Sequence, residues 1–232
     1  MPVVRVGDID MYYELHGEGP PVVVICGLGG VLSDTEWLTR ALAEVNRVLV
    51  FDNRGAGRTD KPEAPYSIPM MAADTDGLMD ALGIRQASVL GISMGGRIAL
   101  ELALSYPDRV SRLILVSTMA AARTPEAATR LGLLSIFAGE LFRRRSQSRA
   151  ALLRQRDASG AYDCTERLGQ IHVPTTILHG RHDRVVRIQK AEEMRMGIEG
   201  SRMVSFHGGH MFFMFRERKW FLDTVEQTLH PR

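Results

Sequence analysis

Gly91-Ile92-Ser93-Met94-Gly95 sets one serine between glycines two positions away on either side. The apolar run Ala87 to Leu90 before it reads as a strand, and Arg97 to Tyr106 after it, stopped by Pro107, has helical spacing. A serine on so short a strand-to-helix turn is held in a strained backbone with its hydroxyl exposed. Small residues on both flanks keep the adjoining strand and helix from colliding. Gly91 and Gly95 meet that demand, and Gly96 extends it. Five residues alone would equally suit a turn without chemistry; the strand before and the helix after favour a nucleophile.

The same alternation continues outward. Val3 to Val6 and Met11 to Leu15 flank the turn signal Gly7-Asp8, and after Pro20-Pro21 the run Val22 to Cys26 is apolar without alternation, as in a strand covered on both faces. Arg47 to Phe51, Leu113 to Val116, Thr175 to Leu178 and Arg202 to Phe206 read as further strands. Trp37 to Ala43, Met70 to Leu82 closed by Gly83, Gln189 to Gly197 and Lys219 to Leu229 read as helices between or after them. The expected fold is α/β, with a mainly parallel central sheet flanked by helices. Between Val116 and Pro174 the rhythm breaks. Helical stretches at Pro125 to Phe142 and Arg149 to Arg156, with the basic cluster Arg143-Arg144-Arg145, predict a short helical cap over 121–170, inserted into a core of 1–120 and 171–232. The arginine cluster reads as a solvated helix end, with an anionic ligand or partner as the lesser reading.

The 232 residues are 45% hydrophobic and 24% charged, with a formal net charge of +2. This is an ordinary globular composition, and so balanced a charge predicts neither nucleic acid nor an anionic membrane as partner. The opening Met-Pro-Val-Val-Arg-Val lacks a basic segment leading into an apolar core, and no run reaches the ~20 apolar residues that span a bilayer. Cys26 and Cys164 lie far apart, with no Cys-x-x-Cys spacing, so reduced thiols and no metal site are expected. The expected location is the cytoplasm.

A serine hydroxyl needs a base, and the base needs an orienting acid. In parallel sheets reactive groups gather just after the strands, and on this kind of nucleophile turn the acid and then the histidine follow the serine in the chain. Asp183 follows Thr175–Leu178 through His179-Gly180-Arg181-His182, and His210 follows the last strand through His207-Gly208-Gly209. His16 and His172 precede strands. His179 and His182 flank the acid and shape its loop. His207 is the rival base, and the two glycines before His210 favour the latter by giving its loop freedom to swing inward. Asp157 and Asp163 fall in the insertion and follow no strand. Acyl transfer also needs donors for the developing oxyanion. The backbone N–H of Met94 is one, and Leu28, in the glycine-rich loop Cys26-Gly27-Leu28-Gly29-Gly30, is the other. That loop is neither Gly-x-Gly-x-x-Gly nor a P-loop, since no Gly-Lys-Ser/Thr follows.

With these features together the sequence resembles the α/β-hydrolase superfamily, in particular its small carboxylesterases, enol-lactonases and cofactor-free haloperoxidases. Phe51-Asp52-Asn53-Arg54-Gly55-Ala56-Gly57-Arg58-Thr59-Asp60 resembles the Asp-x-Arg-Gly-x-Gly-x-Ser loop of that family. Val173-Pro174-Thr175 through Asp183 resembles its acid loop, and Gly209-His210-Met211 its histidine loop. Two features depart from it: Cys26-Gly27 stands where His-Gly is usual, and the insertion is short. A short cap would leave the serine open and expose apolar surface that a second copy of the chain could cover.

The resemblance implies hydrolysis of a small-molecule ester or lactone of small to medium acyl chain through an acyl-enzyme on Ser93, with neither metal nor organic cofactor. The alternatives are perhydrolysis by the same residues, as in the haloperoxidase-like branch, and a ligand-binding homologue with an idle triad. Met70, Met71, Leu133, Phe137, Met211, Phe212 and Phe213 are candidates for an apolar acyl pocket, although such residues more often build the core.

Overall fold

An unbroken apolar strand is stable only with both faces covered. The computed structural model describes residues 2–121 and 148–231, and within them the sheet is covered in this way. The strands are β1 (Val3–Val6), β2 (Ile9–His16), β3 (Pro21–Ile25), β4 (Arg47–Phe51), β5 (Ala87–Ile92), β6 (Val110–Val116), β7 (Thr175–Gly180) and β8 (Arg202–Phe206). They lie in the order β1-β2-β4-β3-β5-β6-β7-β8. β1 and β2 pair antiparallel, β2 meets β4 antiparallel, and every pairing from β4 to β8 is parallel.

The helices are α1 (Glu36–Leu42), α2 (Ile68–Ala81), α3 (Met94–Ser105), α4 (Arg149–Ala161), α5 (Ile188–Gly197) and α6 (Arg218–Leu229). Because side chains alternate along a strand, each apolar run serves two cores. Val23, Ile25, Val89, Leu113 and Leu115 face a core closed by α2, α3 and α5. Val22, Val24, Leu90, Ile114 and Val116 face the other, closed by α1 and α6. The chain leaves β3 to form β4 on one side, then returns to form β5 on the other. That reversal opens a crevice beyond the carboxyl ends of β3 and β5, where ligands settle in open α/β sheets.

Two boundaries differ from the sequence reading in an informative way. α3 begins at Met94, three residues before Arg97, because Gly95 and Gly96 enter its first turn despite their poor helix propensity. Packing overrides propensity here: a Cβ on Gly95 would overlap the carbonyl oxygens of Ile25 and Cys26, and one on Gly96 would press on Thr118. The helix from Arg149 runs on to Ala161 instead of stopping at Arg156.

Of the predicted insertion, Ala121 and the part from 148 onward are described: α4, a bridge between Ala121 and Asp163, and a 3-10 turn at Thr165–Gln170. The predicted helix at Pro125 to Phe142, the cluster Arg143-Arg144-Arg145, and Leu133 and Phe137 lie outside the described residues. Cys26 and Cys164 are both buried and free. Among the described residues no helix is long and apolar enough to cross a membrane.

Candidate active site

β5 delivers Ser93 directly into the N-terminus of α3. Ser93 has φ 55° and ψ −114°, a left-handed conformation that a non-glycine residue occupies only when its surroundings enforce it. The enforcement is visible. Ser93 N–H donates to the Val116 carbonyl at 2.8 Å, and its own carbonyl accepts from Thr118 Oγ1 at 2.7 Å and Gly96 N–H at 3.0 Å. A Cβ on Gly91 would overlap the Gly95 carbonyl. The turn therefore closes only with glycine at both flanks.

β7 and β8 are parallel neighbours, so the loops after them lie side by side. They bring Asp183 and His210 to Ser93 across 90 and more residues of chain. His210 Nδ1 is 2.7 Å from Asp183 Oδ2, and His210 Nε2 is 3.2 Å from Ser93 Oγ. With the carboxylate as its partner, Nδ1 carries the proton and Nε2 faces the hydroxyl as an acceptor. The Asp183 side chain is fully buried and that of His210 is 17% exposed, so the dyad is shielded while the histidine edge stays reachable. Asp183 Oδ1 accepts from the amides of Val185 at 2.8 Å and Val186 at 2.9 Å. Ser117 Oγ donates to the His210 carbonyl at 2.8 Å.

His179, on β7, is buried and sits 3.5 Å from Asp183 Oδ2. Its Nε2–H donates to the Val186 carbonyl at 2.9 Å, and its Nδ1 is buried without a partner among the described residues. Burial holds its pKa below the ordinary value, against the pull of the Val186 carbonyl and Asp183. It supports the acid loop, as the sequence predicts. His207, the rival base, is exposed, with its ring 4.7 Å from that of His182.

The expected freedom of Gly208 and Gly209 is corrected: neither adopts a left-handed φ. Space is what the loop needs. A Cβ on Gly180 would overlap the carbonyl oxygens of Gly208 and Gly209, and one on Gly208 would come within 2.8 Å of Phe212 Cβ.

The loop after β3 lies against Ser93: a Cβ on Gly27 would come within 3.3 Å of Ser93 Cβ. Asn53 Nδ2 donates to the Cys26 carbonyl at 3.1 Å, Gly30 N–H to the Gly27 carbonyl at 3.0 Å, and Leu32 N–H to Asp52 Oδ1 at 2.8 Å. Cys26 takes little part through its side chain, whose Sγ faces Thr35 Oγ1 at 3.9 Å and whose thiol burial pushes up to about 12. The amides of Leu28 and Met94 hydrogen-bond to no described residue. As the first residue of α3, Met94 has no intrahelical acceptor, and its N–H lies at the positive end of the helix dipole.

The apolar pocket expectation is corrected in part. Met71, Phe212 and Phe213 are core residues. Phe212 stacks on Phe206 with centroids 4.3 Å apart and meets Phe213 edge-on at 5.3 Å. Both rings also pack on Phe221 of α6, because large apolar rings gain most where a helix already covers the sheet. Met70 and Met211 are exposed. A cavity of about 10 Å³, room for at most one water, adjoins Ser93 and is lined by Met94, Arg97, Thr118, Met119, Ser159 and Val186. Sequence reading passed over Ser117 and Thr118, although both directly follow β6. It also passed over Gln155 on α4, for which no local signal exists. No cluster of three or more His, Cys, Asp or Glu suited to a metal occurs among the described residues.

A family profile described as the alpha/beta hydrolase fold matches residues 20–159. The chain is 32% identical to a protein of Azorhizobium caulinodans, provisionally named carbamate hydrolase RutD, over 91% of this chain and 92% of that one. It is similar to the crystal structure of the enol-lactonase of Burkholderia xenovorans LB400, with TM-score 0.88 and 27% identity over 98% and 99% of the two chains. It is likewise similar to an esterase of Exiguobacterium antarcticum, with TM-score 0.89 and 27% identity over 98% of each chain.

Proposed function

Given that the chain belongs to the α/β-hydrolase fold family, we propose that it is a serine hydrolase that cleaves carboxylic esters or lactones of small to medium acyl chain. The observation that carries this reading is the run of two contacts, Asp183 to His210 at 2.7 Å and His210 to Ser93 at 3.2 Å, in a crevice beyond the sheet. Ser93 Oγ attacks the carbonyl carbon while His210 Nε2 takes its proton. Negative charge then develops on the carbonyl oxygen, where the Met94 and Leu28 amides donate to it. As the tetrahedral intermediate collapses, His210 returns the proton to the leaving alkoxide, or to the ring-opened alcohol of a lactone. Water then attacks the acyl-enzyme by the same route. Asp183 holds the imidazole in one tautomer and stabilises the imidazolium. Preorganised amide donors of this kind are each worth about 10²–10³ in rate. Of the proposed short cap over 121–170, α4 is the described helix, and its Gln155 reaches the loop after β3.

A relative provisionally named for carbamate hydrolysis and similar enol-lactonase and esterase structures all fit attack on an activated carbonyl. The deciding experiment combines labelling with a substrate panel. A fluorophosphonate should modify Ser93, and nitrophenyl esters of rising chain length, several lactones, an aryl carbamate and peroxide as acyl acceptor should rank the activities. Ser93→Ala should lose labelling and about 10⁴-fold or more of the best activity. An unlabelled wild type, or a Ser93→Ala protein that turns over esters at full speed, would end the proposal.

A further inference from the structure

Gln155 lies in α4, in the segment between β6 and β7, and is 0% exposed. A primary amide buried so deeply needs partners, and it has two in loops far away in sequence. Its Oε1 accepts from Gly29 N–H at 3.0 Å, and its Nε2 donates to the Arg54 carbonyl at 2.7 Å. Gly29 belongs to the loop after β3. Arg54 follows Asn53, whose side chain holds the Cys26 carbonyl of the same loop. Gln155 and Asn53 thus brace that loop from two sides.

The brace bears on one peptide in particular. Leu28 N–H belongs to the Gly27–Leu28 peptide, whose carbonyl is held by Gly30 N–H. In a trans peptide C=O and N–H point opposite ways, so that bond also aims Leu28 N–H. The next peptide, Leu28–Gly29, presents its N–H to Gln155. Both planes on either side of Leu28 are therefore set, and Gln155 sets the second of them. Gly29 takes a φ of +67° in doing so.

We propose that Gln155 is a positioning residue that holds Leu28 N–H in register with the developing oxyanion, so that α4 completes the oxyanion site. This rests on the serine-hydrolase reading above. It assigns Gln155 no contact with substrate. Its acceptor oxygen is the essential part, and its donor to Arg54 fixes the amide's orientation.

The test uses the full chain, with nitrophenyl butyrate as substrate and sites counted by fluorophosphonate titration. Gln155→Met keeps the volume and removes both hydrogen bonds. Its kcat per titrated site should fall about 10- to 100-fold with KM nearly unchanged, and a trifluoromethyl ketone, which forms an oxyanion adduct on serine, should bind weaker by a similar factor. Gln155→Glu restores an acceptor for Gly29 N–H and should recover most of the loss. If Gln155→Met does not fold, Gln155→Asn, one methylene too short to span both partners, takes its place with the same expectations. Full kcat per titrated site in the Met or Asn variant would overturn the proposal. So would a loss confined to KM, or a Glu variant no better than Met. A wild type that neither labels nor hydrolyses would instead overturn the serine-hydrolase reading itself.

Discussion

Asp183 and His210 meet at 2.7 Å through Oδ2 and Nδ1, while Asp183 Oδ1 is already committed to the amides of Val185 and Val186. This division of labour predicts the effect of Asp183→Asn. Two donors at the Oδ1 position demand an oxygen there, so the new NH₂ must face His210. A donor facing Nδ1 moves the ring proton to Nε2, where it can no longer accept from Ser93. The variant should fold and lose about 10⁴-fold in kcat, checked by ester hydrolysis alongside a thermal melt.

Gly180→Ala tests the close approach of the acid and histidine loops. The added methyl meets the carbonyl oxygens of Gly208 and Gly209, immediately before His210. Displacing His210 by about 1 Å costs about 10²-fold in rate, because the hydroxyl and imidazole no longer align. The expected result is a folded protein whose kcat drops while its KM stays near that of the wild type.

Arg54 is 3% exposed and grips Asp74 through Nε at 2.8 Å and Nη2 at 2.7 Å. It also reaches the exposed Asp8 at 2.6 Å and 3.0 Å. Burial pushes the Asp74 carboxyl above its ordinary range, and Arg54 pulls it back. Arg54→Met removes the counter-charge and leaves burial unopposed, which should destabilise the protein by about 3–5 kcal/mol in urea unfolding. Arg54→Met combined with Asp74→Leu should recover a large part of that loss, since no buried charge remains.

His179 predicts a pH dependence of stability. Its pKa in the folded protein lies below the ordinary 6.5, chiefly through burial. The unfolded chain therefore binds a proton at a pH where the folded protein does not. This contribution favours folding fully above pH 6.5 and is lost as the pH falls through 6.5 toward the lower folded value. His179→Gln should unfold with a shallower dependence between pH 7.5 and 5 than the wild type, as read by the urea midpoint; parallel curves would refute the assignment.

How much of this could be read from the sequence follows from how local each feature is. The Gly-x-Ser-x-Gly turn and places just after strands mark Ser93, Asp183 and His210 as candidates in the sequence, and the structure brings their side chains together. Ser117 and Thr118 directly follow β6 and are equally legible by position, but nothing in the sequence says that they hold the His210 and Ser93 backbones. The start of α3 was misplaced because Gly95 and Gly96 defy helix propensity for a reason that lies in β3 and Thr118, not in the helix. Phe212 and Phe213 offered no way to tell pocket from core, since the ring of Phe221 that decides it comes from another helix. Gln155 was invisible for a similar reason: its partner Gly29 is 126 positions away.

That long bridge carries a lesson for protein engineers who would change specificity by exchanging the stretch between β6 and β7. Such a graft looks modular, since Ser93, Asp183 and His210 all lie elsewhere. Yet the native stretch also donates to the Arg54 carbonyl and accepts from Gly29. A transplanted replacement would need to carry its own amide to the same spot, and chimeras selected only for a better-shaped cavity would inherit a loosened loop.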